Sequence, residues 1–278
     1  MGATIESQPC ARASDERIGR IGGVGWWAQN GAAPAQTLRG IEGSRFAVDY
    51  HQRHVIVTGG AGALGTAVVG ALIGLGAVCH VPCHTQAEAQ AFICRDNNAV
   101  KLSVSGDLSD PAAVERLFGG VPELWASIHL AGGFAAAPIG ATDKTMLMQQ
   151  LNINFVSTFL CCRAAVGAMA GRGGRIVNVA ARAALEWRSG AGMTAYAASK
   201  AALAAFTVAL AEEVAREKIL VNAVAPSIID TPANRRAMPK ADFDAWPKVD
   251  EVATTIVFLA SPDHQVTRGA VVPVYGRA

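Results

Sequence analysis

The sequence predicts an α/β fold: a doubly wound parallel sheet of about seven strands in a single domain. Three observations carry this. From about residue 46 to 278, short β-branched runs alternate with longer runs rich in Ala, Leu and Val. That is the pattern of strands covered by helices on both faces. The first such run, Val55-Ile56-Val57-Thr58, is followed at once by the glycine-rich turn Gly59-Gly60-Ala61-Gly62-Ala63-Leu64-Gly65 and a helix-forming stretch, Thr66 to Leu75. Aromatic residues make up only 6% of a chain that is 51% hydrophobic, which favours closely packed helices on a sheet over a β-sandwich.

The 278 residues allow one large domain or at most two small ones. The pattern shows no internal repeat and no second domain. A net charge of +2 provides no basic field for nucleic acid. Six scattered cysteines, Cys10, Cys79, Cys83, Cys94, Cys161 and Cys162, lack disulfide or metal-ligand spacing. They read as small buried residues in a reducing, cytoplasmic setting, with no metal site. No apolar run reaches the ~18 to 20 residues of a membrane span. Residues 1–45 differ from the rest: Arg, Gly, Ala, Ser and Pro surround Trp26-Trp27 without periodicity. They lack the apolar core of a secretory signal. Glu6, Asp15, Glu16 and Glu42 argue against a transit peptide. The expectation is a flexible extension, or a start assigned too far upstream.

Strand, glycine turn and helix together suit a dinucleotide pyrophosphate. The glycines let backbone approach the phosphates, and the helix N-terminus presents free N–H groups and partial positive charge. A tight turn between buried elements is the alternative for such a stretch alone. Gly76 to Pro82 reads as the second strand, whose end should lie beside the adenosine ribose. An Asp or Glu there would favour NAD(H). Val81, Pro82, Cys83 and His84 stand there instead. Without a carboxylate, a 2′-phosphate meets no repulsion and His84 could contact it, so NADP(H) is favoured over NAD(H). An ordinary loop histidine is the alternative. Ala99 to Val104 is the third strand, ending before Asp107 and Leu108, where an adenine amino group could bind; Asp107 could equally serve as a turn cap. Ser109 or Asp110 caps a helix over 112–119. Trp125 to Leu130 is the fourth strand, ending in Ala131-Gly132-Gly133-Phe134, small residues that let backbone lie against a cofactor or simply turn.

A helix is expected from Thr145 to about Met169, with Asn152 and Asn154 inside it. Asn is disfavoured there unless its amide has a use. Arg175 to Ala180 is the fifth strand, followed by a loop from Ala181 to Thr194. A helix carrying Tyr196 and Lys200 runs to about Glu217, and Ile219 to Ala225 is the sixth strand. Residues 233–248 read as a mobile segment over a site. Asp250 to Ala260 is the last helix and Ala270 to Tyr275 the closing strand.

Tyr196 and Lys200 share one helix face. A phenol of ordinary pKa, near ~10, is a poor base at neutral pH. A nearby ammonium stabilises the phenolate and lowers that value. The phenol can then give a proton to a carbonyl oxygen as hydride arrives, or take it in reverse. A pair at this spacing is usually a surface pair; beside a nucleotide fingerprint it reads as catalytic.

From about residue 50 onward the chain resembles the classical short-chain dehydrogenase/reductase family. The matching residues are Thr58-Gly59…Gly65, Asp107, Ala131-Gly132, Asn154, Tyr196-x-x-x-Lys200 and Pro226…Thr231. The resemblance implies a Rossmann-type sheet and hydride transfer between NAD(P)(H) and a small carbonyl or alcohol substrate. It implies Tyr196 as acid/base, Lys200 as its partner and ribose ligand, and Asn154 as holder of a water linking Lys200 to solvent. Thr231 and the Ile229 backbone would hold the nicotinamide amide. The family usually forms dimers or tetramers through the helices carrying Asn154 and Tyr196.

Three departures stand out. The middle glycine of the turn is Ala63, which fits if its φ is negative. The family's Asn-Asn-Ala-Gly is His129-Leu130-Ala131-Gly132, so a strand-bracing amide is absent. The catalytic serine falls at Ala181. Losing one such donor costs on the order of 10²- to 10³-fold in other enzymes. Three readings stay open: Ser189, Thr194 or Arg182 substitutes; the substrate does not need the donor; or the chain is a silent nucleotide-binding sensor. The dihydropteridine-reductase branch also has Ala there, and resembles this chain in the glycine turn, in Ala131-Gly132-Gly133-Phe134 and from Asp230 to Phe243. Reduction of a quinonoid ring is therefore an alternative activity. Met238, Phe243 and Trp246 suggest an apolar or flat substrate, or anchor the segment that carries them.

Overall fold

The computed structural model describes residues 48–278. The extension expected over residues 1–45 lies outside the described residues. The first strand, β1 (His54–Thr58), leads through the glycine turn into α1 (Ala63–Gly74). Then come β2 (Val78–Cys83), α2 (Gln86–Ala91), β3 (Val100–Val104), α3 (Pro111–Gly119) and β4 (Leu124–His129). After β4 the chain forms α4 (Lys144–Leu151), a π-turn (Asn152–Val156) and α5 (Ser157–Met169). The rest is β5 (Gly174–Val179), α6 (Arg182–Leu185), α7 (Thr194–Glu213), β6 (Ile219–Pro226), α8 (Pro232–Ala237), α9 (Val249–Leu259) and β7 (Val271–Val274).

All seven strands join one parallel sheet in the order β3-β2-β1-β4-β5-β6-β7. The order reverses between β1 and β4, so their carboxyl ends open a crevice, the usual ligand position in such sheets. Strand alternation divides the core. Val55 and Val57 face α1 and α9 in one apolar cluster. Ile56 faces the opposite side, in a cluster with Leu117, Cys161, Met169, Ile176 and Leu210. Each fully buried aliphatic side chain contributes about 1.5 to 3 kcal/mol.

Four sequence expectations need correction. The helix expected from Thr145 to Met169 is broken by the π-turn that contains Asn154. The expected loop 181–194 contains α6 and a 3-10 turn, Trp187–Gly190. Helix α2 was not foreseen: its six residues are too few for a periodic signal, although Thr85 caps it by accepting from the Glu88 N–H. By length and composition, Lys144–Met169 and Thr194–Glu213 are apolar enough to cross a membrane. Their buried residues, among them Cys161, Met169 and Leu210, pack in the second cluster of the sheet core instead.

His129 replaces the missing strand-bracing amide. Its Nδ1 lies 2.8 Å from Asn178 Oδ1 and its Nε2 2.8 Å from Ser127 Oγ. Asn178 Nδ2 donates on to Thr207 Oγ1 at 2.9 Å, so β4, β5 and α7 are linked through one buried polar chain. Burial lowers the His129 pKa from 6.5 to about 4. Between those values the unfolded chain takes up a proton that the folded chain refuses, so stability falls as pH falls through this window. Substituting His129→Asn should therefore give a shallower decline of Tm between pH 6.5 and 4. An unchanged slope would show that His129 is not buried as a neutral ring.

Candidate active site

The glycine turn packs so tightly at Gly59, Gly60 and Gly65 that a side chain is excluded there. Gly59 has φ +66°, and a Cβ there would lie 2.7 Å from the Ala131 backbone nitrogen. A Cβ on Gly65 would lie 2.1 Å from the Gly59 carbonyl oxygen. Gly60 sits against Val81 of β2. Gly62 caps α1 without a side-chain hydrogen bond, and the first turn carries no acidic residue. The start of a twelve-residue helix is thus left clear for an anion. Ala63 opens α1 without a positive φ, as its place in the turn requires. These residues fit a dinucleotide pyrophosphate.

Thr58 braces the next wall: its Oγ1 accepts the Ala131 N–H at 3.3 Å. Gly132 is needed because a Cβ there would lie 2.7 Å from Asn154 Oδ1 and 3.4 Å from Lys200 Nζ. Asn154, fully buried in the π-turn, pairs reciprocally with the Gly133 backbone. Its Oδ1 accepts the Gly133 N–H and its Nδ2 donates to the Gly133 carbonyl, both at 2.9 Å. Asn154 Nδ2 also reaches Ser199 Oγ at 3.2 Å, and Ser199 Oγ donates to the Tyr196 carbonyl at 2.7 Å. Lys200 Nζ donates to the Val179 carbonyl at 2.7 Å. Phe134 meets Tyr196 edge-on, with ring centroids 5.0 Å apart.

Burial dominates the electrostatics. It pushes the Tyr196 phenol up to about 12 and the Lys200 ammonium down to about 8. The expected lowering of the Tyr196 pKa by Lys200 is not found; burial alone sets the direction of the shift. Desolvation disfavours both charged forms. The arrangement suits a neutral phenol that delivers a proton and a lysine whose charge is easily lost near neutral pH.

The model of the short chain dehydrogenase family matches residues 53–242. The chain belongs to the short-chain dehydrogenase/reductase family. It is an NAD(P)(H)-dependent oxidoreductase on a Rossmann-type fold. It is 32% identical to a Pseudomonas aeruginosa 3-oxoacyl-[acyl-carrier-protein] reductase, covering 80% of this chain and 95% of that one. It is 30% identical to an L-xylulose reductase from Bos taurus, over 81% and 95% of the two chains. A short-chain dehydrogenase/reductase structure from Burkholderia thailandensis superposes with a TM-score of 0.73 at 27% identity, over 81% and 92%.

Within this dehydrogenase/reductase, the remaining candidates fall in distinct places. Leu64 and Ala61 pack against the first apolar cluster, while Leu108 is buried in the second. Asp107 accepts from the Ser109 N–H and hydroxyl, both at 2.8 Å. Asp110, rather than Ser109, caps α3. His84 is exposed at the end of β2, but a carboxylate does reach that point: Glu88 accepts the His84 backbone N–H at 2.6 Å. Four residues separate the two in sequence, and the turn into α2 folds Glu88 back. Pro226 ends β6. Thr231 caps α8 by accepting from Asn234 N–H, and the Ile229 carbonyl accepts from Asn234 Nδ2.

Ala181 is buried where the family serine stands, and precedes α6 without a side-chain cap. Two of its possible substitutes are engaged: Ser189 Oγ donates to the Glu186 carbonyl, and Arg182 pairs with the Glu186 carboxylate. Trp246 is buried beside Phe243, whose other neighbour is the Arg235 guanidinium. Met238 is half-buried just past α8. Ser199 was missed by sequence reasoning; its place directly before Lys200 was the available signal.

Reduction needs a protonated Tyr196, which a value of about 12 supplies across the neutral range. Reductive kcat/KM should therefore decline only as Lys200 loses its proton near pH 8, while oxidative kcat/KM rises with pH as phenolate accumulates. Initial rates in both directions between pH 6 and 10 test this; a reductive profile flat through that range would remove the Lys200 charge from the chemistry.

Proposed function

We propose that this enzyme interconverts a carbonyl compound and its alcohol, with Tyr196 as the proton donor and acceptor. The observation that carries this is the cluster of Tyr196, Lys200, Ser199 and Asn154 beside the Gly132-Gly133 backbone, at the crevice between β1 and β4. When bound, the nicotinamide supplies or accepts the hydride at carbon. Tyr196 gives its proton to the carbonyl oxygen during reduction and recovers it from solvent. Lys200 binds the nicotinamide ribose and supplies positive charge beside the phenol. Asn154 fixes the backbone floor through Gly133 and holds a water that links Lys200 to solvent. Thr231 and the Ile229 backbone bind the nicotinamide amide; Asp107 with Leu108 bounds the adenine.

Ala181 leaves Tyr196 as the principal hydrogen-bond donor to the substrate oxygen. A reactive or conjugated carbonyl fits this better than one needing two donors. Met238 and Phe243 form one side of the substrate space, with Trp246 anchoring them.

Preference for NADP(H) over NAD(H) depends on a β2 end free of negative charge. Glu88 changes that premise, and we assign the balance between the cofactors to it. Exposed apolar residues on α4, the π-turn and α5, including Met148, Ile153 and Phe159, support a homodimer or homotetramer built on these helices. A cytoplasmic setting agrees with five free cysteines among the described residues.

Tyr196→Phe should lower kcat by on the order of 10²- to 10⁴-fold while cofactor affinity stays within about twofold. Steady-state rates with a cofactor titration measure both, and unchanged turnover would defeat the assignment. Glu88→Gln should tighten NADPH binding by about fivefold relative to NADH, the effect of removing roughly 1 kcal/mol of charge repulsion. Equal shifts for both cofactors would remove Glu88 from the ribose subsite.

A further inference from the structure

The rim of the site presents apolar surface, and several of the polar side chains beside it are engaged with the protein. Five large apolar residues are exposed on segments that follow the carboxyl ends of β4, β5 and β6: Phe134, Ile139, Leu185, Trp187 and Ile228. Exposure is greatest at Trp187, 78%, and Ile139, 75%. Single exposed apolar residues are ordinary, but several around one opening mark a ligand surface.

Three close approaches bring the segments after β4 and β5 to the start of α7, which carries Tyr196. Phe134 touches its ring. A parallel bridge joins Ala137 to Met193, and Ile139 lines a cleft of about 280 Å³ with Thr194 and Ala195, immediately before Tyr196. The 3-10 turn that starts at Trp187 ends at Gly190, where a Cβ would lie 2.7 Å from the Ala197 Cβ. Trp187 is also held in place: its indole N–H donates to the Ala184 carbonyl at 3.0 Å. An exposed ring fixed by its only polar atom offers its apolar faces to a ligand at small entropic cost.

Several polar groups on the same segments are engaged within the protein. Ser189 and Arg182 bond to Glu186, and Thr142 Oγ1 donates to the Pro138 carbonyl at 3.1 Å. Asp230 is paired with Arg235 and Lys248, and Asn234 Nδ2 with the Ile229 carbonyl. A polyol would find fewer free partners among these groups than an apolar group finds surface.

We infer that the preferred substrate is a carbonyl compound bearing a bulky apolar or aryl group, with Trp187 as a specificity-determining residue. This rests on the carbonyl-reductase reading above. The test compares 2,3-butanedione, 1-phenyl-1,2-propanedione and a ketose with the purified full chain and reduced cofactor. The two diketones share the reacting group and differ by a phenyl ring. The ratio of kcat/KM, phenyl over methyl, should be about tenfold or more in the wild type, fall severalfold in Trp187→Ala and recover in Trp187→Phe. A ratio near one, a ratio unmoved by Trp187→Ala, or faster turnover of the ketose would overturn the inference. If neither diketone is turned over, the carbonyl-reductase reading fails, and calorimetric binding decides the inference separately. Tighter binding of the phenyl compound that is lost in Trp187→Ala sustains it; equal binding, or none, overturns it.

Discussion

The reciprocal pairing of Asn154 with the Gly133 backbone holds the site together. An amide side chain satisfies an N–H and a carbonyl of one residue, both at 2.9 Å, in a place where neither could reach a strand partner. Buried backbone groups left unpaired cost about 1 to 3 kcal/mol each, so this pairing is strongly specified. It requires the π-turn, because the wider coil turns Asn154 inward between α4 and α5. It requires glycine at position 132, where a Cβ would collide with the same amide. Through Ser199 it reaches the first turns of α7 and sets the height of Tyr196. The loop after β4, the α4–α5 bend and α7 are thereby placed by one side chain.

Around this anchor, dehydration decides protonation. Tyr196 and Lys200 sit on one helix face, the arrangement in which an ammonium ordinarily eases ionisation of a phenol. Burial governs both groups here instead, raising one and lowering the other. Near neutral pH the two shifts leave a protonated phenol beside a lysine that still holds its charge, and so bias the site towards proton delivery. The same principle governs His129, kept uncharged between Ser127 and Asn178, where it braces the strands as an amide would.

Much of this was legible in the sequence because it is written locally. Seven strands, their helices and the glycine turn announce themselves through apolar period and small-residue spacing, and Tyr196 with Lys200 through helix geometry. What escaped notice depends on the chain folding back. The π-turn looks like ordinary helix, since Asn152 and Asn154 disturb propensity without saying how. Glu88 is four residues from the strand end in sequence, yet a turn brings its carboxylate to His84. His129 reads as the loss of an amide because its partners, Ser127 and Asn178, are defined by strand register. Ser199 is marked in the sequence only by its place before Lys200; its position between Asn154 and the Tyr196 carbonyl gives it meaning.

The exposed ring of Trp187 also bears on how such a protein can change. Its indole is fastened to Ala184 on a short turn, and it contributes little to either apolar cluster of the sheet. Phe134 is similarly outside those clusters. Replacements at these positions therefore leave both apolar clusters of the sheet untouched. The rim can vary over generations while the catalytic floor stays constant, so new substrates become accessible to descendants of this chain without a prior gain in stability.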